Sequence, residues 1–260
     1  TEASRGARNA GMTGTVAPRL LALCSVRLSS SPLSSEEADL RTPHPLRGSF
    51  FVPLTGPTFV ELGCPPAACR CPTTADRGSS ARLLAGRLAV PAIALPDTTT
   101  VTVPGRVHGL GRFSSDPLQA LLAGVLPPPL RGSLRSQFEW YACRGAFFHN
   151  DAHYGDVLFG AWCAGGPRRE IVFSRAGLRL SAGPGDWVVF DPFEPHAVLD
   201  PGTDRYRRER YDGSPASLFL GFELRLDTAV RQAFGIGPAE PGATVLASSL
   251  PINAETGALG

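Results

Sequence analysis

The sequence predicts a mainly β fold, an antiparallel barrel or jelly roll, and two observations carry that prediction. The chain contains 29 glycines and 25 prolines in 260 residues, which favours short strands and turns over long helices. From residue 136 onward, short strand-like runs alternate with turn signals such as Gly165-Gly166-Pro167. Eight runs at this spacing are typical of an antiparallel barrel or jelly roll. They cover residues 137–143, 146–153, 157–163, 170–173, 178–181, 187–190, 196–199 and 218–226.

The sequence pattern before residue 136 is different, and it predicts an α+β segment packed around the barrel. Residues 1–11 are expected to be disordered or a leader, and a helix is expected over 16–28. Two short strands are expected within 47–63 and edge strands within 88–104, where prolines interrupt β-branched residues. The best helix runs from 116 to 126, with Ser115 as its N-cap. We therefore divide the chain into an N-terminal wrap (1–135), a barrel (136–230) and a C-terminal extension (231–260).

Composition and charge exclude several classes of partner. All of the 25 basic residues are arginines, and the net charge is only +2. No strong field therefore favours nucleic acid or an anionic membrane. No run of 18 apolar residues occurs, so no transmembrane helix is expected, and a cytoplasmic protein is predicted.

The six cysteines permit two interpretations. Cys64, Cys69 and Cys71 lie close together and could belong to a structural zinc site. Zinc knuckles, however, need paired C-x-x-C units or a nearby histidine, and His44 lies well upstream. Reduced, partly buried thiols in a cytosolic protein are the favoured interpretation.

A metal-binding constellation stands out among the five histidines of the chain. Residues two apart on a strand share a face, so His149 and Asp151 are predicted to point together into the barrel. His196 follows a Gly-Asp turn and an apolar strand, and would supply a third ligand from another strand. Two imidazoles and one carboxylate on one face of an octahedral metal form the ligand set of non-haem iron(II) oxygenases.

His153 complicates this assignment, because it has the same parity as His149. It could contact a substrate or donate a hydrogen bond to a ligand. A zinc-protease pattern with His149 and His153 fails, since Asn150 stands where the glutamate base would be needed.

At His149-x-Asp151…His196, with Gly185-Asp186 before the distal histidine, the chain resembles the iron(II)/2-oxoglutarate-dependent dioxygenase superfamily. The resemblance covers about residues 136–226. It implies a double-stranded β-helix core of cupin type, with iron(II), 2-oxoglutarate and dioxygen as reactants. It also implies oxidation, usually hydroxylation, of a substrate C–H bond. A small molecule such as an amino acid or a natural-product intermediate is the expected substrate.

The resemblance further implies a basic residue that binds the distal carboxylate of 2-oxoglutarate, and here it must be an arginine. Arg205 and Arg207 lie nearest the usual place after the distal histidine, but the loop around them departs from the common pattern. Members that take this residue from an earlier strand would nominate Arg169, Arg175 or Arg179. Further pocket candidates, all of which could instead be structural, are Glu139, Tyr141, Phe159 and Trp162.

Three other functions remain open at this point. A cupin-type dioxygenase or isomerase would use the same barrel without 2-oxoglutarate, although cupins typically carry H-x-H and a later glutamate. A hydroxylase of protein, peptide or RNA is a variant of the leading hypothesis. A non-catalytic barrel that binds a ligand or a partner is the third. The sequence does not indicate the oligomeric state.

Overall fold

The fold is known from a computed structural model, which describes residues 56–62, 72–74, 77–151, 153–238 and 251–259. The predicted helix over 16–28, and Cys24, Cys64, Cys69 and Cys71, lie outside the described residues. Within the described residues, no helix is long and apolar enough to cross a membrane.

The described strands form two antiparallel sheets and one small ribbon. The large sheet has seven strands in the order β1-β4-β11-β8-β13-β6-β5, and the small sheet has four in the order β10-β9-β12-β7. The ribbon pairs β2 with β3. The bounds are β1 Thr58–Glu61, β2 Pro72–Thr74, β3 Arg77–Gly78, β4 Arg82–Arg87, β5 Val107–Ser114, β6 Gln137–Cys143, β7 Ala146–His149, β8 Val157–Gly165, β9 Arg169–Phe173, β10 Leu178–Ala182, β11 Asp186–Phe190, β12 His196–Leu199 and β13 Ser217–Arg225.

Strands β6 to β13 follow the connectivity of a jelly roll. The chain places β6, β8, β11 and β13 in the large sheet and β7, β9, β10 and β12 in the small one. Successive strands thus cross repeatedly between two facing sheets, as in a double-stranded β-helix. The predicted mainly β jelly-roll fold is confirmed.

Between the two sheets lies the inner core, a set of buried side chains contributed by both. It includes Leu83 on β4, Cys143 on β6, Phe173 on β9, Val188 on β11 and Phe219 on β13. The strands alternate, so that every second side chain points into this space. The inner core is where the candidate site lies.

The opposite face of the large sheet is covered by helices and forms the outer core. Helix α1 (Asp116–Val125) begins at the predicted N-cap, where the Ser115 hydroxyl accepts the Leu118 N–H. Helix α2 (Thr228–Phe234) is capped by Asp227 and ends at Gly235 in the left-handed conformation. A 3₁₀ helix, Pro128–Ser133, follows α1. All three tryptophans of the chain belong to this core: Trp140, Trp162 and Trp187.

From residue 137 onward, the predicted strands agree closely with the observed ones. The run 146–153 stops at His149, and residues 88–104 form no strand, although edge strands were expected there. Three strands that precede residue 136 belong to the large sheet: β4 pairs with β11, β1 pairs with β4, and β5 pairs with β6. Part of the predicted wrap therefore extends the barrel sheet.

Candidate metal centre

His149, Asp151 and His196 meet at one end of the inner core. One potential ligand atom from each lies within 4.8 Å of the other two. The Nε2 atom of His149 is 3.8 Å from one carboxylate oxygen of Asp151, and that of His196 is 3.6 Å from the other. Cis ligands on an octahedral ion with bonds of about 2.1 Å are roughly 3 Å apart, so small side-chain adjustments would close this set around one metal.

The backbone around the cluster explains how the three side chains converge. His196 opens β12 and pairs with His149 at the end of β7. A bulge shifts the register, since Val198 pairs with Ala146, and the single β12 residue between these pairs opposes two residues of β7. The bulge re-aims His149, which would otherwise point away from the face that carries Ala146.

Asp151 corrects one sequence expectation. It lies beyond the end of β7 and shares no strand with His149. Its position is fixed instead by its backbone N–H, which donates to the carbonyl of Pro192 at 2.7 Å. The loop that carries the carboxylate is thereby tied to the turn that precedes His196.

Both imidazoles are held in one tautomer. The Nδ1 of His149 donates to the carbonyl of Phe147 at 2.7 Å, and the Nδ1 of His196 donates to the carbonyl of Glu194 at 2.8 Å. Because a carbonyl only accepts, each Nδ1 carries the proton and each Nε2 keeps a lone pair. The lone pairs are the ones that face Asp151, which is the arrangement a metal requires.

Electrostatics also favour the neutral ligand form. Burial, and next the neighbouring His149, lower the pKa of His196 well below its usual range. Beside it, burial raises the pKa of Glu194 to about 7, partly opposed by Arg175. His196 is therefore held neutral, and together with His149 and Asp151 it forms a donor set suited to iron(II).

A cavity of about 210 Å³ opens beside the cluster, and His149, Asp151 and His196 form part of its wall. Most of the remaining wall is apolar or aromatic, contributed by Phe159, Phe190 and Phe219 among others. The Phe190 ring lies 4.7 Å from the His196 ring, so aromatic surface reaches the metal ligands directly.

The other side chains predicted for the site are distributed unevenly. Tyr141 and Phe159 line the cavity, and His153 lies at it as an exposed side chain whose ring is 4.1 Å from that of Tyr154. Glu139 lies just outside, where its carboxylate accepts hydrogen bonds from Tyr141 and Arg112 at 2.8 Å each.

The structure places Trp162 elsewhere. It is fully buried in the outer core, and its indole N–H donates to the carbonyl of Leu88 at 3.3 Å. Trp162 is three residues from Phe159 on the same strand, so the two side chains point to opposite faces of the sheet. Its assignment to the pocket is corrected.

Among the described residues, no arginine lines the cavity. Arg205 and Arg207 are exposed in the loop after β12, because the chain there leaves the sheet before it reaches β13. Arg175 lies in the turn after β9, with a guanidinium nitrogen 3.5 Å from the Glu194 carboxylate. Arg179 contacts Glu170, and the buried Arg169 forms an ion pair with Asp200.

Sequence reasoning missed two parts of the site. Tyr154 lines the cavity but follows β7 in a loop, where periodicity gives no signal. Gly221 lines it on β13, and the absence of a side chain there gives the Tyr141 ring its space. Only the short Asp151-to-Tyr154 turn spacing could have pointed to the tyrosine.

No family model and no curated protein sequence matches the chain. Among solved structures, the chain is similar to a cupin 2 conserved barrel domain protein from Salinispora arenicola CNS-205. The identity is 17%, the TM-score is 0.26, and the match covers 56% of this chain and 98% of that one. It is also similar to a Pseudomonas putida prolyl-4-hydroxylase, at 16% identity and a TM-score of 0.30, covering 66% of this chain and 93% of that one.

The jelly-roll fold is defined by the strand order, and the candidate metal centre by the cluster of three side chains. The chain combines a cupin-like jelly roll with a His-x-Asp…His group at one end of its inner core, the two features on which the superfamily resemblance depends.

Proposed function

We propose that this protein is a non-haem iron(II) oxygenase that oxidises a small, largely apolar molecule in the cavity beside His149, Asp151 and His196. The observation that carries the proposal is that these three potential ligands form part of the wall of an otherwise mostly apolar cavity. A metal held there would have its open positions towards the bound molecule.

The donor set favours iron over zinc. Structural zinc sites are closed by four ligands, and catalytic zinc is usually held by three ligands in a tetrahedral set. Two histidines and one carboxylate on one face leave three positions of an octahedral ion open, which iron(II) oxygenases use for dioxygen and a co-substrate. Iron bound here would supply the oxygen chemistry.

The residues of this chain would position and protect that chemistry. The carbonyls of Phe147 and Glu194 orient the two imidazoles, and the Asp151 loop is anchored to Pro192. Phe159 and Phe190 exclude water from one side of the cavity, where their rings stand edge to face at 5.9 Å.

The cavity volume supports a small substrate. Pockets for drug-sized ligands span about 300–1,000 Å³, and the cavity here is about 210 Å³. A small molecule fits this space more readily than a segment of protein or RNA.

We further propose 2-oxoglutarate as the co-substrate, on the strength of the superfamily resemblance. Its distal carboxylate needs a cation, and Arg169 is the best placed of the described arginines. Arg169 has the inward parity of Ile171 on β9, and its charge acts on Cys143, which lines the cavity. In this role it would exchange its partner Asp200 for the co-substrate.

The positions of the arginines also favour a second candidate function. Because no arginine of the described residues lines the cavity, a cupin-type metal-dependent dioxygenase or isomerase that uses no 2-oxoglutarate suits the geometry too. Such an enzyme would oxidise or isomerise a substrate bound directly at the metal.

Anaerobic iron(II) titration tests the metal site. The wild type should bind one iron(II), and His196→Ala should lower the affinity more than about 100-fold, since even outer partners of metal ligands are worth about 10–100-fold. His108→Ala is the matched control, because His108 lies outside the cluster. Equal affinity in His196→Ala and the wild type would refute the proposed centre.

Addition of 2-oxoglutarate to the iron-loaded protein separates the two candidates. A visible charge-transfer band without oxygen, and succinate release with oxygen, are expected for the first candidate. Bound iron without either signal would leave the second candidate as the function.

A further inference from the structure

A chain of polar groups enters the apolar cavity on the side formed by β6. The Arg112 guanidinium donates to the Glu139 carboxylate at 2.8 Å, and the Tyr141 hydroxyl bonds the same oxygen at 2.8 Å. The hydroxyl of Tyr141 is in turn 2.9 Å from that of Tyr154. Both tyrosines line the cavity, so the chain leads from the exposed Arg112 to the chamber beside the metal ligands.

The neighbouring strands are built to hold this chain. Gly221 on β13 pairs with Glu139, and a Cβ there would lie 2.3 Å from the Tyr141 ring. Gly109 on β5 pairs with Tyr141, and a Cβ there would lie 2.6 Å from a Glu139 carboxylate oxygen. A Cβ at Gly221 would displace the Tyr141 ring, and a Cβ at Gly109 would displace the Glu139 carboxylate. The positions of Tyr141 and Glu139 therefore depend on these two glycines.

The number of available protons determines which group donates in each hydrogen bond of this polar row. Each phenol keeps its single proton at neutral pH, because the ordinary pKa of tyrosine is about 10. The Glu139 carboxylate, paired with Arg112, only accepts, so the Tyr141 proton must lie between Tyr141 and Glu139. The bond between the two tyrosines then requires the Tyr154 proton. Both protons are used, and the pair can offer the cavity only oxygen lone pairs.

We propose that the Tyr141–Tyr154 pair is the substrate-orienting group of the cavity and selects a neutral, largely apolar molecule that donates one O–H or N–H. A molecule of the same shape that can only accept, such as a ketone, would face oxygen lone pairs without a proton between them. Sites built to hydrogen-bond one group discriminate strongly against analogues that lack it. This inference rests on the proposed function only in taking the cavity as the substrate chamber.

The test uses two ring compounds of similar shape, cyclohexanol and cyclohexanone, titrated calorimetrically into the iron(II)-loaded protein without oxygen. Cyclohexanol should bind about five- to tenfold more tightly, as expected for one net hydrogen bond. Tyr154→Phe should lower that preference, because only the Tyr141 oxygen is then left to accept. Tyr141→Phe should raise the affinity for cyclohexanone, because the Tyr154 proton is then free to donate.

The control is Tyr206→Phe, which removes a buried hydroxyl that has no hydrogen-bond partner among the described residues. It should keep the wild-type preference. Equal binding of the two probes by the wild type, or no binding of either, would overturn the inference. A preference that is undiminished in Tyr154→Phe would do the same, because it would come from the iron or from a group outside the pair.

The wild-type and Tyr141→Phe measurements decide the matter even if Tyr154→Phe does not fold. Iron stoichiometry is measured on each protein separately. An alcohol preference without iron binding would therefore contradict the proposed function alone, while iron binding without the preference would contradict this inference alone.

Discussion

The two faces of the large sheet are made by the same strands but filled in opposite ways. On β8, Leu158 and Trp162 point into the outer core under the helices, while Phe159 and Ala161 point towards the small sheet. The outer face carries all three tryptophans, each of them buried. The inner face has Ala161 and Gly221 at the cavity and leaves about 210 Å³ unfilled.

Buried charge follows the same division. Among the described residues, the buried charged or titratable side chains on the small sheet and in the turn before β12 include Arg169, Glu194 and His196. Buried charge and empty space both lower stability, and here both accompany the candidate site. The comparison teaches that one face of the sheet provides the stability on which the other face depends.

The largest expected effect comes from truncation of the outer face. Trp162→Ala should lower the free energy of unfolding by about 3–5 kcal/mol, because it removes a fully buried indole from a packed core. Phe159→Ala on the same strand should cost no more than about 2 kcal/mol, since part of that ring already faces the cavity. Urea denaturation of both variants measures the difference.

Measurements of iron and probe binding should distinguish the same two variants in the opposite sense. Trp162→Ala should keep the iron affinity of the wild type under conditions where it is folded, whereas Phe159→Ala should change the binding of cavity probes. Equal costs for the two truncations would break the comparison.

Two glycines allow a matched test of overpacking. Gly160 on the outer face and Gly221 on the inner face each lie under an aromatic ring, and a Cβ would come within 2.3 Å of Phe222 or Tyr141 respectively. Each change to alanine should cost about 1–3 kcal/mol. Only Gly221→Ala should also remove the preference for cyclohexanol, which titration of both variants would show. Loss of the preference in Gly160→Ala would contradict the division between the faces.

Much of this organisation could be predicted from the sequence, and the failures have physical causes. The strand bounds between 137 and 225 followed from turn glycines and alternation, which are local signals. The His149, Asp151 and His196 group followed from ligand chemistry. Strand alternation also predicts that Trp162 and Phe159, three residues apart, lie on opposite faces of the sheet. The assignment of both residues to the pocket did not take this alternation into account.

Other features depend on contacts that no local pattern reveals. The bulge that turns His149 inward appears only when β7 and β12 pair. Strand β4 joins the large sheet by pairing with β11, which lies about 100 residues later in the sequence. No local pattern around β4 indicates that pairing. The arginine that would bind a co-substrate depends on the path of the loop after β12, which holds Arg205 and Arg207 in solvent.

The buried Glu194 predicts a pH dependence of stability. Burial raises its pKa in the folded state to about 7, above its unfolded value of 4.5, so the folded protein binds its proton more tightly. Its contribution is therefore most favourable below about pH 4.5 and is lost as the pH rises through 7. Glu194→Gln, compared with the wild type in metal-free buffer, should gain on the order of 1–2 kcal/mol at pH 8 and little at pH 5. A gain independent of pH would show that the carboxylate is not the cause.

The smallest expected effect is that of Ala161→Val, and Ala142→Val is its counterpart, because each change adds the same two methyl groups to one face of the sheet. Ala142 on β6 is fully buried in the outer core, so Ala142→Val should cost about 1–3 kcal/mol. Ala161 lines the cavity, so Ala161→Val should cost less than about 1 kcal/mol while it weakens cyclohexanol binding by reducing the chamber. Urea denaturation and calorimetric titration of the pair provide both numbers. If Ala161→Val were the more destabilising change, the inner face would be as tightly packed as the outer one, and the cavity could not serve as a substrate chamber.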